Sequence, residues 1–223
     1  MSTTTDRKHI PLGVKLGYTA FMAVLVPVYW YHYGLTNFLY FCDVALFLTL
    51  AAVWLESPLL ASVPAVGLLV TQTIWCVDFV VTLCGGTMLG MTNYMFHEHK
   101  PLYLRALSFF HYWLPFLLVF LLWRLGYDRR AFWLWTITAW MLFTVSYLFL
   151  PSPPAPKDNI NLPVNVNYVH GPTDDKPQEW MHPLAYLAIL FVGWPVLVYL
   201  PTHLALQRLC PRPAHFTAES THG

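Results

Sequence analysis

Reactive and ionisable side chains lie inside long apolar segments of this sequence. They are Cys42 and Asp43, which are adjacent, and Asp78 and His111 further along the chain. A thiol activated by an imidazole is a competent acyl-accepting nucleophile, and a carboxylate can orient that imidazole. This set therefore permits an acyl-transfer or acyl-hydrolysis site with Cys42 as nucleophile, His111 as base and Asp78 or Asp43 as the orienting acid.

A purely structural role for the same residues is the main alternative. Ionisable groups are costly inside a membrane and are retained mainly where they are paired or face a cavity. Asp43 or Asp78 would then pair with His111 or with a backbone group to hold helices together. The four cysteines have no spacing typical of a zinc site or a disulfide framework.

Six apolar runs must position these residues. Each is close to the roughly 20 residues that a helix needs to cross a bilayer. They cover residues 16–33, 38–55, 59–83, 103–123, 131–149 and 183–204. The sequence therefore predicts an all-α polytopic transmembrane helix bundle with about six spans. In such a bundle the second, third and fourth helices would place the four reactive residues roughly 6–12 Å below one interface, at 1.5 Å per residue.

Composition excludes the other broad classes. The chain is 57% hydrophobic and only 10% charged, whereas a soluble domain carries about 25% charged residues. Its formal net charge of +1 gives no reason to expect nucleic acid as a partner.

The arrangement of basic residues predicts the orientation. Segments 1–15 and 206–223 are expected to be cytoplasmic, because Lys and Arg are more numerous on their side. The membrane domain would span 16–205, with outer loops at 85–101 and 151–182, in a multi-pass protein of the cell membrane. The loop motif His97-Glu98-His99 can bind a metal if a strand-like segment places both imidazoles on one face. A solvated interfacial loop is favoured because the HExxH pattern is absent, so no metal or other cofactor is expected.

Several short motifs resemble the ordered landmarks of the YwaF and transmembrane protein 164 family, which is distantly similar to the androgen-induced membrane lipid hydrolases. The motifs are NFLYFCDVALFL at residues 37–48, QTIWCVD at 72–78, FFH at 109–111, Asn167-Tyr168 and Lys176-Pro177. They extend over most of the chain. Two departures are Tyr40, where the family usually has His, and Val77, where it usually has Pro.

The resemblance implies a lipid acyltransferase or acyl hydrolase with Cys42 as nucleophile and His111 as base. A membrane lipid would be the partner. Landmark residues expected to bind the substrate are Asn37, Tyr40, Gln72, Trp75, Asn167 and Tyr168. The rival hypothesis is a non-enzymatic membrane protein, either a small-molecule or proton carrier or a structural subunit. The sequence leaves the oligomeric state open.

Overall fold

The computed structural model describes residues 9–96, 100–211 and 213, and these contain helices but no strand. The six main helices are α1 (Leu12–Tyr33), α2 (Phe41–Leu55), α3 (Pro58–Leu83), α4 (Leu102–Leu125), α5 (Ala131–Phe149) and α6 (Pro183–Leu209). The predicted all-α bundle is confirmed. The chain is an integral membrane protein by the length and apolar composition of these helices.

Five of the six helices are long and apolar enough to cross a membrane, and α2 is the exception. With 15 residues, α2 is about 22 Å long at 1.5 Å per residue, against about 30 Å of hydrocarbon. The predicted second run began three residues earlier, at Phe38. In the structure, a 3₁₀ turn over Leu35–Leu39 and an extended Tyr40 precede the helix. The start of α2 therefore lies inside the bundle.

Local sequence signals explain most helix ends. Gly34 follows α1 with a φ of 76°, a backbone conformation that residues other than glycine rarely adopt. Ser57 caps α3 by accepting a hydrogen bond from the backbone N–H of Leu60, and Pro58 occupies the first helical position. The same pattern of cap and proline begins α6, at His182 and Pro183.

The third helix is the centre of the bundle and packs against α2, α4 and α5. Close packing with α5 depends on Gly67, because a Cβ atom there would lie 1.8 Å from Cε2 of Trp135. Trp135 itself is fully buried. By contrast, large apolar side chains on the outer faces are exposed, among them Phe116, Phe149 and Leu197. This distribution suits a bundle surrounded by lipid.

The bundle has two unlike ends. One end carries the first long loop, between α3 and α4 (described residues 84–96 and 100–101), and the second long loop, between α5 and α6 (residues 150–182). At the opposite end, Glu56 follows α2 and accepts hydrogen bonds from Lys15 Nζ at 2.7 Å and from the Ile10 backbone N–H at 3.1 Å. The cytoplasmic placement of this opposite end stays a prediction. The helices extend slightly beyond the predicted 16–205, to Leu12 and Leu209.

Candidate functional site

The amino end of α2 is capped by a residue that is distant in sequence. Tyr40, the residue before the helix, makes no side-chain capping bond. Instead, Asn167 Oδ1 accepts a hydrogen bond from the Phe41 backbone N–H at 3.0 Å. Asn167 Nδ2 donates to the Leu39 carbonyl at 2.9 Å and to Ser146 Oγ at 3.3 Å. One side chain therefore joins the second long loop to α2 and α5.

This loop holds a strained conformation over the same residues. Asn165, Asn167 and Tyr168 have positive φ values of 49°, 60° and 60°, a region that costs non-glycine residues about 1–3 kcal/mol each. Buried hydrogen bonds offset the cost. Asn165 Nδ2 donates to the carbonyls of Gly171 and Thr173, both at 2.9 Å. Strain supported in this way is typical of functional sites.

Cys42 and Asp43 lie in the first turn of α2, directly below that cap. Asp43 Oδ2 accepts a hydrogen bond from Asn37 Nδ2 at 3.3 Å and a long contact from the Cys42 thiol at 3.7 Å. The side chain is buried, with 3% of its surface exposed. Asp43 Oδ1 is also buried and has no hydrogen-bond partner among the described residues.

His111 is held by its own helix. Its Nδ1 lies 2.7 Å from the Ser108 carbonyl oxygen. Because a carbonyl only accepts, Nδ1 carries the proton, and Nε2 of the neutral ring has a free lone pair. The ring stacks on Trp75, with centroids 5.0 Å apart. Between the described residues Cys42 and His111 no hydrogen bond forms, so the structure does not show the direct contact of the predicted nucleophile and base.

Asp78 has partners other than the predicted one. Its Oδ1 accepts from the backbone N–H groups of Leu89 at 2.7 Å and Gly90 at 3.1 Å. Its Oδ2 accepts from the Thr92 N–H at 2.9 Å and the Thr92 hydroxyl at 2.8 Å. None of these four bonds involves His111. Asp78 therefore fastens the first long loop to α3, and the expected role of orienting His111 has no support in this geometry.

The other predicted binding residues surround the same end of the bundle. Tyr40 donates to the Val164 carbonyl at 3.3 Å, which adds a second link between the second long loop and α2. Gln72 is buried in α3, and its Oε1 lacks a partner among the residues that the structure describes. Tyr168 is half-buried beside Asn167, and burial raises the pKa of its phenol.

Tyr94 is a member of this group that sequence reasoning missed. Its phenol lies beside the side chains of Trp75 and Ser108 and within electrostatic range of Cys42 and Tyr168, and burial raises its pKa. The Lys100 ammonium lies 4.8 Å from the centroid of the Tyr94 ring. No sequence signal distinguished Tyr94 from the other loop aromatics.

The residues gathered at this end are called the polar cluster below. They are Tyr29, Asn37, Tyr40, Cys42, Asp43, Trp75, Tyr94, Ser108, His111, Asn167 and Tyr168. Four helices and both long loops contribute to it. Across residues 9–96, 100–211 and 213, no three potential metal ligands converge. The predicted loop motif His97-Glu98-His99 falls outside the described residues.

The chain matches no protein-family model, no curated protein and no solved structure. The family resemblance therefore stays a prediction, and the function must be argued from the polar cluster itself.

Proposed function

We propose that this integral membrane protein binds a membrane lipid, or a similar amphiphile, at the polar cluster. The observation that carries the proposal is the buried Asp43 carboxylate, whose Oδ1 lacks a partner within the described structure. A buried polar atom without a partner costs about 1–3 kcal/mol or more when charged. A ligand that supplies a hydrogen-bond donor there would recover that cost.

The position of the polar cluster favours an amphiphile over a fully polar ligand. The cluster lies at the end of a bundle whose outer faces expose large apolar side chains. A head group at the cluster would allow its chain to lie along these faces in the hydrocarbon. Asn167 and Tyr168 would then contact the head group from the second long loop.

Protection of Cys42 from alkylation tests this proposal. Two variants would keep one cysteine each, Cys42 or the exposed Cys84, with the others replaced by alanine. A single-chain lysophospholipid should slow maleimide alkylation of Cys42 several-fold, because the ligand would occupy the space beside the thiol. Alkylation of Cys84 controls for effects of the amphiphile on the reagent. Equal slowing at both cysteines, or none at Cys42, contradicts the proposal.

Acyl transfer through Cys42 is the second candidate, and two observations favour it. Cys42 lies in the first turn of α2, where backbone N–H groups without helical partners stabilise a thiolate and the adjacent Asp43 opposes it. His111 Nε2 is the free acceptor of a ring anchored through Nδ1. The reaction would form a bond between the sulfur and the acyl carbon and break the ester C–O bond, while the thiol proton passes through a base to the leaving alcohol.

The covalent step has its own test. Incubation with a lipid ester should give an acyl thioester on Cys42 that hydroxylamine removes, detected by mass spectrometry. Cys42→Ala should abolish the adduct, and His111→Ala should slow its formation, since both belong to one catalytic unit. Binding without an adduct would leave the first proposal in place and reject this one.

A further inference from the structure

The hydrogen bonds around Asp43 restrict the kind of chemical group that a ligand can place beside it. Asn37 Nδ2 and the Cys42 thiol both interact with Oδ2, the other oxygen of the carboxylate. The phenols of Tyr29 and Tyr40 lie within electrostatic range of Asp43. However, the Tyr29 hydroxyl is bonded to Ser108 Oγ at 2.9 Å, and Tyr40 donates to a loop carbonyl. Neither phenol donates to Oδ1.

Nor does a basic side chain compensate the charge. In the part of the chain that the structure describes, no Lys, Arg or His forms an ion pair with Asp43. The amino end of α2 supplies only a partial positive charge. A buried carboxylate without a counter-ion is either protonated or paired with a cation from outside. A neutral ligand would leave Asp43 protonated, whereas a cation can form an ion pair with the ionised carboxylate.

We propose that Asp43 binds the ammonium group of a cationic amphiphile, with one N–H donating to Oδ1. This inference rests on the proposed binding of an amphiphile at the polar cluster, and it names the group that the cluster selects. The empty site holds Asp43 protonated, and binding of the ammonium releases that proton. The surrounding phenols add electron-rich rings and oxygens, and the Lys100 ammonium, which lies over the Tyr94 ring, forms no ion pair with Asp43.

The test compares two amphiphiles with the same ten-carbon chain, decylammonium and decanol. Each is titrated against the full-length protein with Cys42 as its single cysteine, in a non-ionic detergent, with protection from alkylation as the readout. Decylammonium should protect at a concentration at least several-fold below that of decanol, because only the ammonium can form an ion pair with the carboxylate.

Substitution of Asp43 then tests whether its carboxylate causes the preference for decylammonium over decanol. Asp43→Asn should remove the advantage of decylammonium, so that the two amphiphiles protect Cys42 at similar concentrations. Asp175→Asn is the matched control, because it removes an exposed acid from the same end of the bundle. It should leave both ligands unaffected. Equal protection by the two amphiphiles in the unsubstituted protein overturns the ammonium assignment and keeps amphiphile binding, whereas protection by neither overturns both.

Infrared difference spectroscopy provides a readout that does not depend on thiol reactivity. Addition of decylammonium to the protein with Asp43 intact should remove the C=O stretch of a protonated carboxylic acid and produce a carboxylate band. The Asp175→Asn variant should give the same difference spectrum. A carboxylic acid band that persists at saturating decylammonium would overturn the proposal, even if Asp43→Asn failed to fold.

Discussion

Asn167 is predicted to be the residue on which the geometry of the polar cluster depends most. Replacing it with alanine removes all three of its hydrogen bonds and leaves the Phe41 backbone N–H without its partner. The unpaired Phe41 N–H is the lost helix cap, which costs about 0.5–2 kcal/mol, and loss of the hydrogen bond to the Leu39 carbonyl costs about 0.5–1.5 kcal/mol. Alanine at a φ of 60° adds about 1 kcal/mol of strain. The expected loss of stability is therefore about 2–4 kcal/mol.

Three substitutions separate these contributions. Asn167→Gly also loses the hydrogen bonds but tolerates positive φ, so it should be about 1 kcal/mol more stable than Asn167→Ala. Asn167→Asp keeps an acceptor for the Phe41 N–H and loses the amide donor, so it should be the mildest of the three. The order of stability of the three variants separates the contribution of the helix cap from that of the backbone strain at residue 167.

Thermal unfolding of the purified protein in detergent, followed by tryptophan fluorescence, measures the series. At about 2–4 °C per kcal/mol for a chain of this size, Asn167→Ala should lower the melting temperature by roughly 4–16 °C. Asn161→Ala, in an exposed part of the same loop, is the control and should change it little. A melting temperature for Asn167→Ala within about 2 °C of that of the unsubstituted protein would refute the reasoning. The loss of a helix cap that stabilises the protein should lower the melting temperature by more than that.

Three further predictions concern other parts of the bundle. Asp78→Ala should cost about 3–5 kcal/mol, because it leaves the N–H groups of Leu89, Gly90 and Thr92 unpaired, of which that of Thr92 is buried. Proteolysis of the first long loop should accelerate. The Lys15 ammonium lowers the pKa of Glu56 to about 2, so its stabilisation is complete above about pH 5 and is lost as the pH falls towards 2. Unfolding measured from pH 7 to 3 should show this loss, and Glu56→Gln should remove it. Gly67→Ala should destabilise by about 1–3 kcal/mol or more in thermal unfolding, because the new methyl overlaps Trp135.

Each of these predictions has a result that would contradict it. Unchanged proteolysis in Asp78→Ala would mean that the loop is held by other contacts. An identical pH profile in Glu56→Gln and the unsubstituted protein would reject the contribution of that carboxylate. Gly13→Ala is the control for Gly67→Ala, because nothing lies within 4 Å of a Cβ at residue 13. Equal stability of the two alanine variants would show that α3 and α5 have room to separate.

The sequence by itself determined the class of protein and the positions of its helices. Apolar length and helix-breaking residues are local properties, so the six runs coincide with the six helices to within a few residues. Gly34, Pro58 and Pro183 ended or began helices at the expected places for local reasons. The ordering of reactive residues along these helices also indicated that Cys42 and His111 belong to one end of the bundle.

Only the tertiary structure decided which of these residues contact each other. Asp78 and His111 were expected to pair at a similar depth, but depth fixes neither the direction of a side chain nor the identity of its partner. Asp78 instead binds backbone N–H groups of a loop whose path the sequence does not encode in any simple pattern. His111 is satisfied within its own helix.

The short length of α2 is also decided by the tertiary structure. Residues 38–55 are apolar enough to continue as one helix, and nothing local requires the helix to begin at Phe41. It begins there because Asn167, 126 residues away, occupies the space above it and caps its first free N–H. Contacts between distant residues depend on the packing of the whole bundle, because only the folded chain brings a loop and a helix end to the same point.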